Sequence, residues 1–378
     1  MIEIRTLSDG LAPSVRAFNE RVSTRGVTPF PEEPVSQWLP KRLGCAIYEE
    51  PFVAIEDGQV RGGYILIQQE ASIGGQITSI GGLRLPISEA LVNPKYGLLP
   101  ARLVLDAQRR QPLLFGMGMG GEQTPVARLL GGLKFQLRRV PFYFKINHAA
   151  RFLTGSTILK PWLARLLLYS GVGWAGTHAL SFSLAKPHGA VRKVIAREIG
   201  AFDDWADRLW EANHAQYSFV AVRNSSTLNA LYPPADKRFI RLQVKHGRRI
   251  AGWALLLDLH LTDHPRFGNL RAGQIVDCFA APDDAQHVIR AASQYLENRG
   301  VDFVRSHQSH PSWRRALQLS GFFPGRSYFL FGASPALGSL LARVDPNNSG
   351  VHLNRGDGDG PLYLPRKGIP AERYPATV

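Results

Sequence analysis

The sequence predicts the same run of structural elements twice, half a chain apart. Residues 98–144 and residues 285–331 each have the pattern of a helix, a short apolar strand, a second helix ending near a glycine, and an aromatic strand. The equivalent glycines, Gly132 and Gly321, are 189 residues apart in a chain of 378. Solenoid repeats recur every 20 to 50 residues or so, and the much longer period here predicts two copies of one domain.

The composition is that of a globular chain with room for two domains. Hydrophobic residues make up 44% and charged residues 20% of the sequence, unlike a disordered chain. The distant cysteines, Cys45 and Cys278, give no zinc spacing, and no metal site is predicted. No run approaches the roughly 18–20 apolar residues of a membrane-spanning helix, and Met1–Arg5 lacks the shape of a signal peptide. These features predict a cytoplasmic protein, with a peripheral position at the inner membrane as an option.

Positive charge is concentrated in the middle of the chain. The net charge is +15, and residues 151–200 carry seven basic residues against one acidic residue. A basic helix in residues 151–188 could rest on an anionic membrane surface with Trp162 and Tyr169 at headgroup level. The alternatives are a helix packed between two domains, a solvated basic surface, or contact with nucleic acid.

The remaining patterns predict an α+β fold with mixed sheets. Residues 1–150 show a strand, helices and three β stretches ahead of the first repeat copy, and residues 190–335 show a similar order ahead of the second. Residues 151–189 form the connector. Residues 336–378 are rich in turn-forming residues, so we expect a loop-rich tail that lies on the surface or is mobile.

This order of elements resembles that of the GNAT acyltransferase superfamily. The run VNPKYGLLPA at residues 92–101 looks like the end of the superfamily's fourth strand leading into the loop and helix that hold the pyrophosphate of acyl-CoA. The run ALQLSGF at residues 316–322 is similar to its late helix, which ends in a Gly-Phe pair. The resemblance covers residues 2–147 and 190–332. It implies two tandem GNAT-like domains joined by a basic helical connector.

The resemblance also implies an acyl-CoA site in the first domain, because a helix N-terminus binds phosphate through free N–H groups. Pro100 cannot donate a hydrogen bond, and an ordinary loop entering a helix is the alternative. In the second copy, Asp283 and Asp284 stand at the equivalent turn and would repel pyrophosphate. The residues expected to bind the cofactor are Leu83, Leu85, Lys95, Tyr96, Gly97, Leu98, Leu99 and Ala101.

Acylation of an amine needs one group that accepts a proton from the amine and one that protonates the leaving thiolate. Glu89, which follows the third β stretch close to the donor loop, is the predicted base and is preferred to Glu70. Tyr143 is the predicted acid. The alternatives are a solvated loop carboxylate for Glu89 and a buried aromatic residue for Tyr143.

These residues predict a bacterial N-acyltransferase that moves an acyl group, most simply acetyl, from acyl-CoA to a small-molecule or sugar amine. Two alternatives stay open. One is a degenerate GNAT pair that acts as a binding or scaffold protein. The other is a transferase resembling the Fem family, which takes aminoacyl groups from tRNA. The basic connector suits tRNA, but the long charged helical hairpin of that family is missing, so nucleic acid is the less favoured partner.

Overall fold

The computed structural model describes residues 1–155, 194–264, 267–347 and 349–358. Most of the predicted connector, with Trp162 and Tyr169, lies outside the described residues, as does the end of the predicted tail after Gly358. Among the helices of the described ranges, none combines the length and the apolar character needed to cross a lipid bilayer.

Eight strands form the first sheet. They are β1 (Glu3–Thr6), β2 (Tyr48–Glu56), β3 (Gln59–Ile73), β4 (Gln76–Ser88), β5 (Leu114–Gly118), β6 (Gln136–Arg139), β9 (Phe219–Ala221) and β15 (Leu330–Ala333). Their order is β1-β2-β3-β4-β5-β15-β6, and β9 pairs with the far end of β3. The β4–β5 pair is parallel, while the other described pairs of this sheet are antiparallel.

Seven strands form the second sheet. They are β7 (Phe142–Ile146), β8 (Val194–Ile199), β10 (Ile240–His246), β11 (Arg249–His260), β12 (Arg271–Ala280), β13 (Phe303–His307) and β14 (Phe323–Gly325). Their order is β14-β7-β13-β12-β11-β10-β8. Here β12 and β13 form the parallel pair, so each sheet is mixed, as the sequence predicts.

Helices cover the sheets and bury their apolar sides against them. They are α1 (Ala12–Val22), α2 (Leu99–Arg110), α3 (Pro125–Gly132), α4 (Ala149–Gly155), α5 (Asp204–Asn213), α6 (Ser225–Leu231), α7 (Ala285–Asn298), α8 (Pro311–Leu319) and α9 (Pro335–Val344). Short polar side chains fix several helix starts. The side chains of Thr124, Asn224 and Ser334 each accept a hydrogen bond from an N–H of the first turn.

The predicted repeat is confirmed in its element order, but the two halves exchange strands. The run α2, β5, α3, β6, β7 corresponds to the run α7, β13, α8, β14, β15. Nevertheless β7 pairs with β13 and β14 in the second sheet, and β15 inserts between β5 and β6 in the first. From the sequence alone, each strand is expected to pair within its own domain. The exchange is not foreseen, because hydrophobic periodicity identifies a strand but not its pairing partner. The exchange ties the two halves together through backbone hydrogen bonds.

Residues 351–357, which follow α9, lie in the interior, so for this segment the expectation of a surface or mobile tail is wrong. Val351, Leu353 and Asn354 are all buried. The backbone of this segment pairs with both sheets, through a bridge from Val351 to Phe219 and another from Asn354 to Gln308. Turn-forming composition indicates irregular backbone, but it does not reveal that the polar groups of a segment have buried partners.

Candidate functional site

The first sheet opens between β4 and β5. Their parallel pairing covers three positions and ends with Leu83 opposite Gly116. The register between β3 and β4 then shifts, and Leu85 adopts a left-handed φ of 50°, which is uncommon for a residue with a side chain. A bulge of this kind bends a strand away from its neighbour. The pairing of β4 and β5 thus ends beside the predicted donor residues Leu83 and Leu85, and we call this place the first opening.

The chain's own tail closes one side of this opening. It leaves a cavity of about 10 Å³, which has room for about one water molecule. Gly358 lies against the Phe329 ring, and a Cβ on this glycine would come within 3.0 Å of the ring and 3.4 Å of Met117. The cavity is lined by Ile67, Gly82, Leu83, Arg84, Phe115, Met117, Asp357 and Gly358.

The N-terminus of α2 presents free backbone donors beside the opening. The amides of Leu98, Leu99 and Ala101 donate to no acceptor within the described part of the chain, and Pro100 has no N–H. The first intrahelical bond runs from the Arg102 amide to the Leu98 carbonyl, at 3.2 Å. Three unpaired N–H groups at the positive end of a helix dipole are able to bind an anion.

A short helical turn at Pro94–Tyr96 leads into this helix and is anchored to β2. The buried Tyr96 donates a hydrogen bond of 2.8 Å from its hydroxyl to Glu56, and the Lys95 ammonium lies 3.2 Å from the same carboxylate. The Tyr96 hydroxyl, and after it Lys95, lowers the pKa of Glu56. Lys95 is two-thirds exposed, at 66% of its side chain, so it is free to turn toward a ligand. The Gly97 amide bonds back to the Pro94 carbonyl and closes the turn.

The predicted base and acid lie in different sheets. Glu89 is buried at the end of β4, where its carboxylate lies 3.2 Å from Arg21 and 3.1 Å from Arg61. Tyr143 lies on β7 of the second sheet, is buried, and accepts a hydrogen bond of 3.2 Å from Arg314. Among the described contacts, none joins Glu89 to Tyr143. Their catalytic roles therefore stay predictions.

Sequence reasoning missed a buried charged cluster that brings a carboxylate to the opening. Arg223, which follows β9, contacts Asp277 at 2.9 Å and Asp357 at 2.5 Å, and each side chain is at most 3% exposed. The Asp357 carboxylate also accepts the Asn354 amide at 2.8 Å. Burial raises the pKa of Asp357, and Arg223 opposes that shift. No local signal marks the pairing of this aspartate with Arg223, because the two residues are 134 positions apart in the chain.

The corresponding opening of the second sheet is filled by the tail. The parallel pairing of β12 and β13 ends with Ile275 opposite Ser306. Beyond that point the Asn354 side-chain amide donates to Asp277 at 2.8 Å, and an imidazole nitrogen of His352 lies 3.0 Å from the Cys278 carbonyl oxygen. Both tail residues are buried. Side chains of the tail therefore occupy the second opening.

The helix start that follows β12 carries an acidic side chain. The buried Asp284 immediately precedes α7 and pairs with Arg249 through contacts of 2.6 and 2.8 Å. The Asp284 side chain makes no capping hydrogen bond to α7, but a carboxylate at this place would repel a phosphate. The sequence expectation that Asp283 and Asp284 disfavour pyrophosphate binding agrees with this arrangement. The two halves thus share an architecture and differ at the places where a donor would bind.

Solved structures of acyltransferases share this architecture. A GCN5-related N-acetyltransferase from Anabaena variabilis is similar with a TM-score of 0.51 and 10% identity, over 88% of this chain and 72% of that one. A probable N-acyltransferase from Enterococcus faecalis is similar with a TM-score of 0.51 and 9% identity, over 89% and 73%. The Saccharomyces cerevisiae N-myristoyltransferase with bound myristoyl-CoA has a TM-score of 0.48 and 10% identity, over 88% and 82%.

Comparison by sequence adds no relative: no protein-family model matches the chain, and no curated protein does. At identities near 10%, the structural likeness to the Anabaena and Enterococcus proteins concerns the fold. The two mixed sheets and the duplicated element order give the chain a tandem GNAT-like fold, which confirms the predicted resemblance.

Proposed function

We propose that this protein is an acyltransferase that takes an acyl group, most simply acetyl, from acyl-CoA in its first domain and passes it to an amine of a small molecule or sugar. The contrast between the two openings carries the proposal. The first has unpaired amides and no acidic residue at the start of α2, whereas the second has the carboxylate of Asp284, paired with Arg249, immediately before α7. The similarity of the fold to acyltransferases supports the type of reaction.

The donor would bind mainly through backbone groups. Its pyrophosphate would accept hydrogen bonds from the amides of Leu98, Leu99 and Ala101, and Lys95 would add a mobile positive charge. Its pantetheine arm would enter between β4 and β5 along Leu83 and the bulge at Leu85. Backbone recognition explains how Leu98 can stand where the superfamily favours a smaller residue, since the amide does the binding.

The geometry favours Asp357 over Glu89 as the proton acceptor. Both carboxylates pair with arginine, Asp357 with Arg223 and Glu89 with Arg21 and Arg61, but of the two only Asp357 lines the cavity between β4 and β5. Burial raises the pKa of Asp357, and a carboxylate with a raised pKa is a stronger base. Arg84 lines the same cavity and is itself paired with Glu49, so the opening carries both signs of charge.

The proposed reaction is tested by release of free thiol from acetyl-CoA across a panel of amines. Asp357→Asn is expected to lower kcat at least about a hundredfold, in the range of general-base catalysis, and to leave the affinity for acetyl-CoA within about threefold of wild type. Glu89→Gln is the matched control for the predicted base. A loss of kcat in Glu89→Gln and not in Asp357→Asn would reverse the assignment of the proton acceptor. If the wild type turns over none of the amines, the proposed acyltransferase activity is contradicted.

A binding or scaffold role is the second candidate, and one observation favours it. The tail leaves a cavity of only about 10 Å³ in the first opening, so an acyl chain enters only if Gly358 and its neighbours move. Saturable binding of acyl-CoA without turnover would support this role.

A transferase that uses tRNA is distinguished by the salt dependence of donor binding. Its affinity for tRNA would fall steeply between about 50 and 200 mM salt, because binding to phosphates releases counterions.

A further inference from the structure

Three side chains that can ligate a metal converge outside both openings. They are His246 at the end of β10, and Asp284 and His287 at the start of α7. One ligand atom from each residue lies within 4.8 Å of those from the other two. Asp284 is buried, while the two histidines are half-buried and remain open to solvent. A sequence of this kind gives no metal spacing, because 38 residues separate His246 from Asp284.

Backbone geometry holds the three residues in place. His246 pairs with Arg249 across the hairpin of β10 and β11, and Gly247 forms the turn with a left-handed φ of 63°. Asp284 and His287 are three residues apart, which places them on the same face of the helix. The hairpin and the helix pack directly on each other, because a Cβ on Gly252 of β11 would touch Val288 of α7.

The chemistry of the cluster suits a borderline cation. The rings of His246 and His287 lie with centroids 4.0 Å apart. A neutral imidazole keeps a nitrogen lone pair for a metal ion. Two imidazole nitrogens and one carboxylate oxygen form a ligand set typical of Zn²⁺, whereas Mg²⁺ and Ca²⁺ prefer oxygen ligands alone.

We propose that His246, Asp284 and His287 bind one zinc-like divalent transition-metal ion, with water in the fourth position. Bonds of about 2.0–2.2 Å at tetrahedral angles bring ligand atoms to about 3.3–3.5 Å from one another. Side-chain rotations that close the widest gap by roughly 1.5 Å are therefore sufficient. The ion would share or replace the contact between Asp284 and Arg249 and would join the hairpin to α7. It would thus bind at the start of α7 in the second domain, whereas the equivalent place in the first domain, the start of α2, has free amides.

Calorimetry with zinc chloride on tag-free protein near pH 7.5 tests this site. We expect one Zn²⁺ per chain, and His246→Ala and His287→Ala should each weaken binding at least tenfold. The control is His260→Ala, which changes an exposed histidine on β11 and should bind zinc as wild type does. Arg249→Gln should bind zinc more tightly, because it frees the Asp284 carboxylate from a competing cation.

Several results would overturn the proposal. Zinc affinity unchanged in both His246→Ala and His287→Ala would place the ion elsewhere, and an absence of binding at millimolar zinc would exclude the site. Equal affinity for Mg²⁺ would contradict the nitrogen ligands. Equal zinc affinity of Arg249→Gln and wild type would contradict the part assigned to Asp284. Circular dichroism of each variant confirms that the fold is retained in these comparisons.

Discussion

Replacing Leu98 by aspartate separates the fold of the donor loop from its proposed ligand. The Leu98 side chain is 81% exposed and immediately precedes α2, so its loss removes little packing. An acidic residue at this place stabilises a helix by about 0.3–1 kcal/mol through the helix dipole. The same carboxylate would stand beside the pyrophosphate of acyl-CoA. Leu98→Asp should therefore keep or raise the stability of the protein and weaken the binding of its donor.

The size of the effect follows from Coulomb's law. At about 6 Å, in the dielectric of water, two unit charges of like sign repel by about 0.7 kcal/mol. Two pyrophosphate charges give about 1.4 kcal/mol, which corresponds to a tenfold loss of affinity. Salt weakens this repulsion, since the Debye length is about 10 Å at 0.1 M and about 3 Å at 1 M.

The assay is calorimetric titration of coenzyme A and acetyl-CoA into wild type, Leu98→Asp and Leu98→Asn. The asparagine variant matches aspartate in shape but carries no charge, so we expect its affinity to lie within about twofold of wild type. Screening over about 6 Å at 0.1 M salt leaves roughly 0.8 kcal/mol of this repulsion, so Leu98→Asp should bind about three- to fourfold more weakly there, with a smaller difference at 1 M. Equal affinities of Leu98→Asp and Leu98→Asn at low salt would refute the placement of pyrophosphate on α2.

Three further predictions concern stability. Gly252→Ala would place a Cβ 2.6 Å from both the Phe279 carbonyl oxygen and Val288 Cγ2, and should lower the free energy of unfolding by at least about 2 kcal/mol, measured by urea denaturation. Arg223→Met leaves two buried carboxylates without their cation, and the same assay should show a loss of about 3–5 kcal/mol. Burial lowers the pKa of His310 to about 4, so its stabilising neutral form is fully present above the unfolded pKa of about 6.5 and is lost as pH falls toward 4. His310→Asn keeps an acceptor for the first turn of α8, and from pH 7 to 4.5 this variant should lose about 2 kcal/mol less stability than wild type.

Each of these predictions has its own control or contrary result. Gly132→Ala is the control for Gly252→Ala, because a Cβ at Gly132 meets nothing within 4 Å. This change should leave the free energy of unfolding unaltered or raise it by up to about 1 kcal/mol. A loss below about 1 kcal/mol in Arg223→Met would show that the two carboxylates are not buried together with the arginine. Parallel pH profiles for His310→Asn and wild type would mean that His310 titrates normally in the folded protein.

The sequence predicted the elements of this fold more fully than their connections. Amphipathic helices, apolar strands and the glycine-containing helix ends are local patterns, and their duplication predicted a tandem GNAT-like architecture that the structure confirms. The exchange of β7 and β15 depends on long-range pairing between edges. Two aromatic strands of similar pattern give no local signal for which sheet each one joins.

The candidate site divides in the same way. The proposed donor loop is predicted from contiguous residues, and the structure places Leu98, Leu99 and Ala101 together at the start of α2. The charged cluster around Asp357 was missed because Arg223 is 134 residues away in the chain. The partners of Glu89 were missed for the same reason, since Arg21 is 68 residues away. A buried ion pair between distant segments follows from tertiary structure, which no local spacing encodes.

The central claim, one acyl-CoA site in the first domain, is tested most directly by a crystal structure of the protein with coenzyme A. We predict one coenzyme A per chain, its pyrophosphate within hydrogen-bonding distance of the amides of Leu98, Leu99 and Ala101, and its pantetheine arm between β4 and β5. Coenzyme A bound at the start of α7, or two molecules per chain, would contradict this assignment. A structure without coenzyme A, from crystals grown at saturating concentration, would contradict it as well.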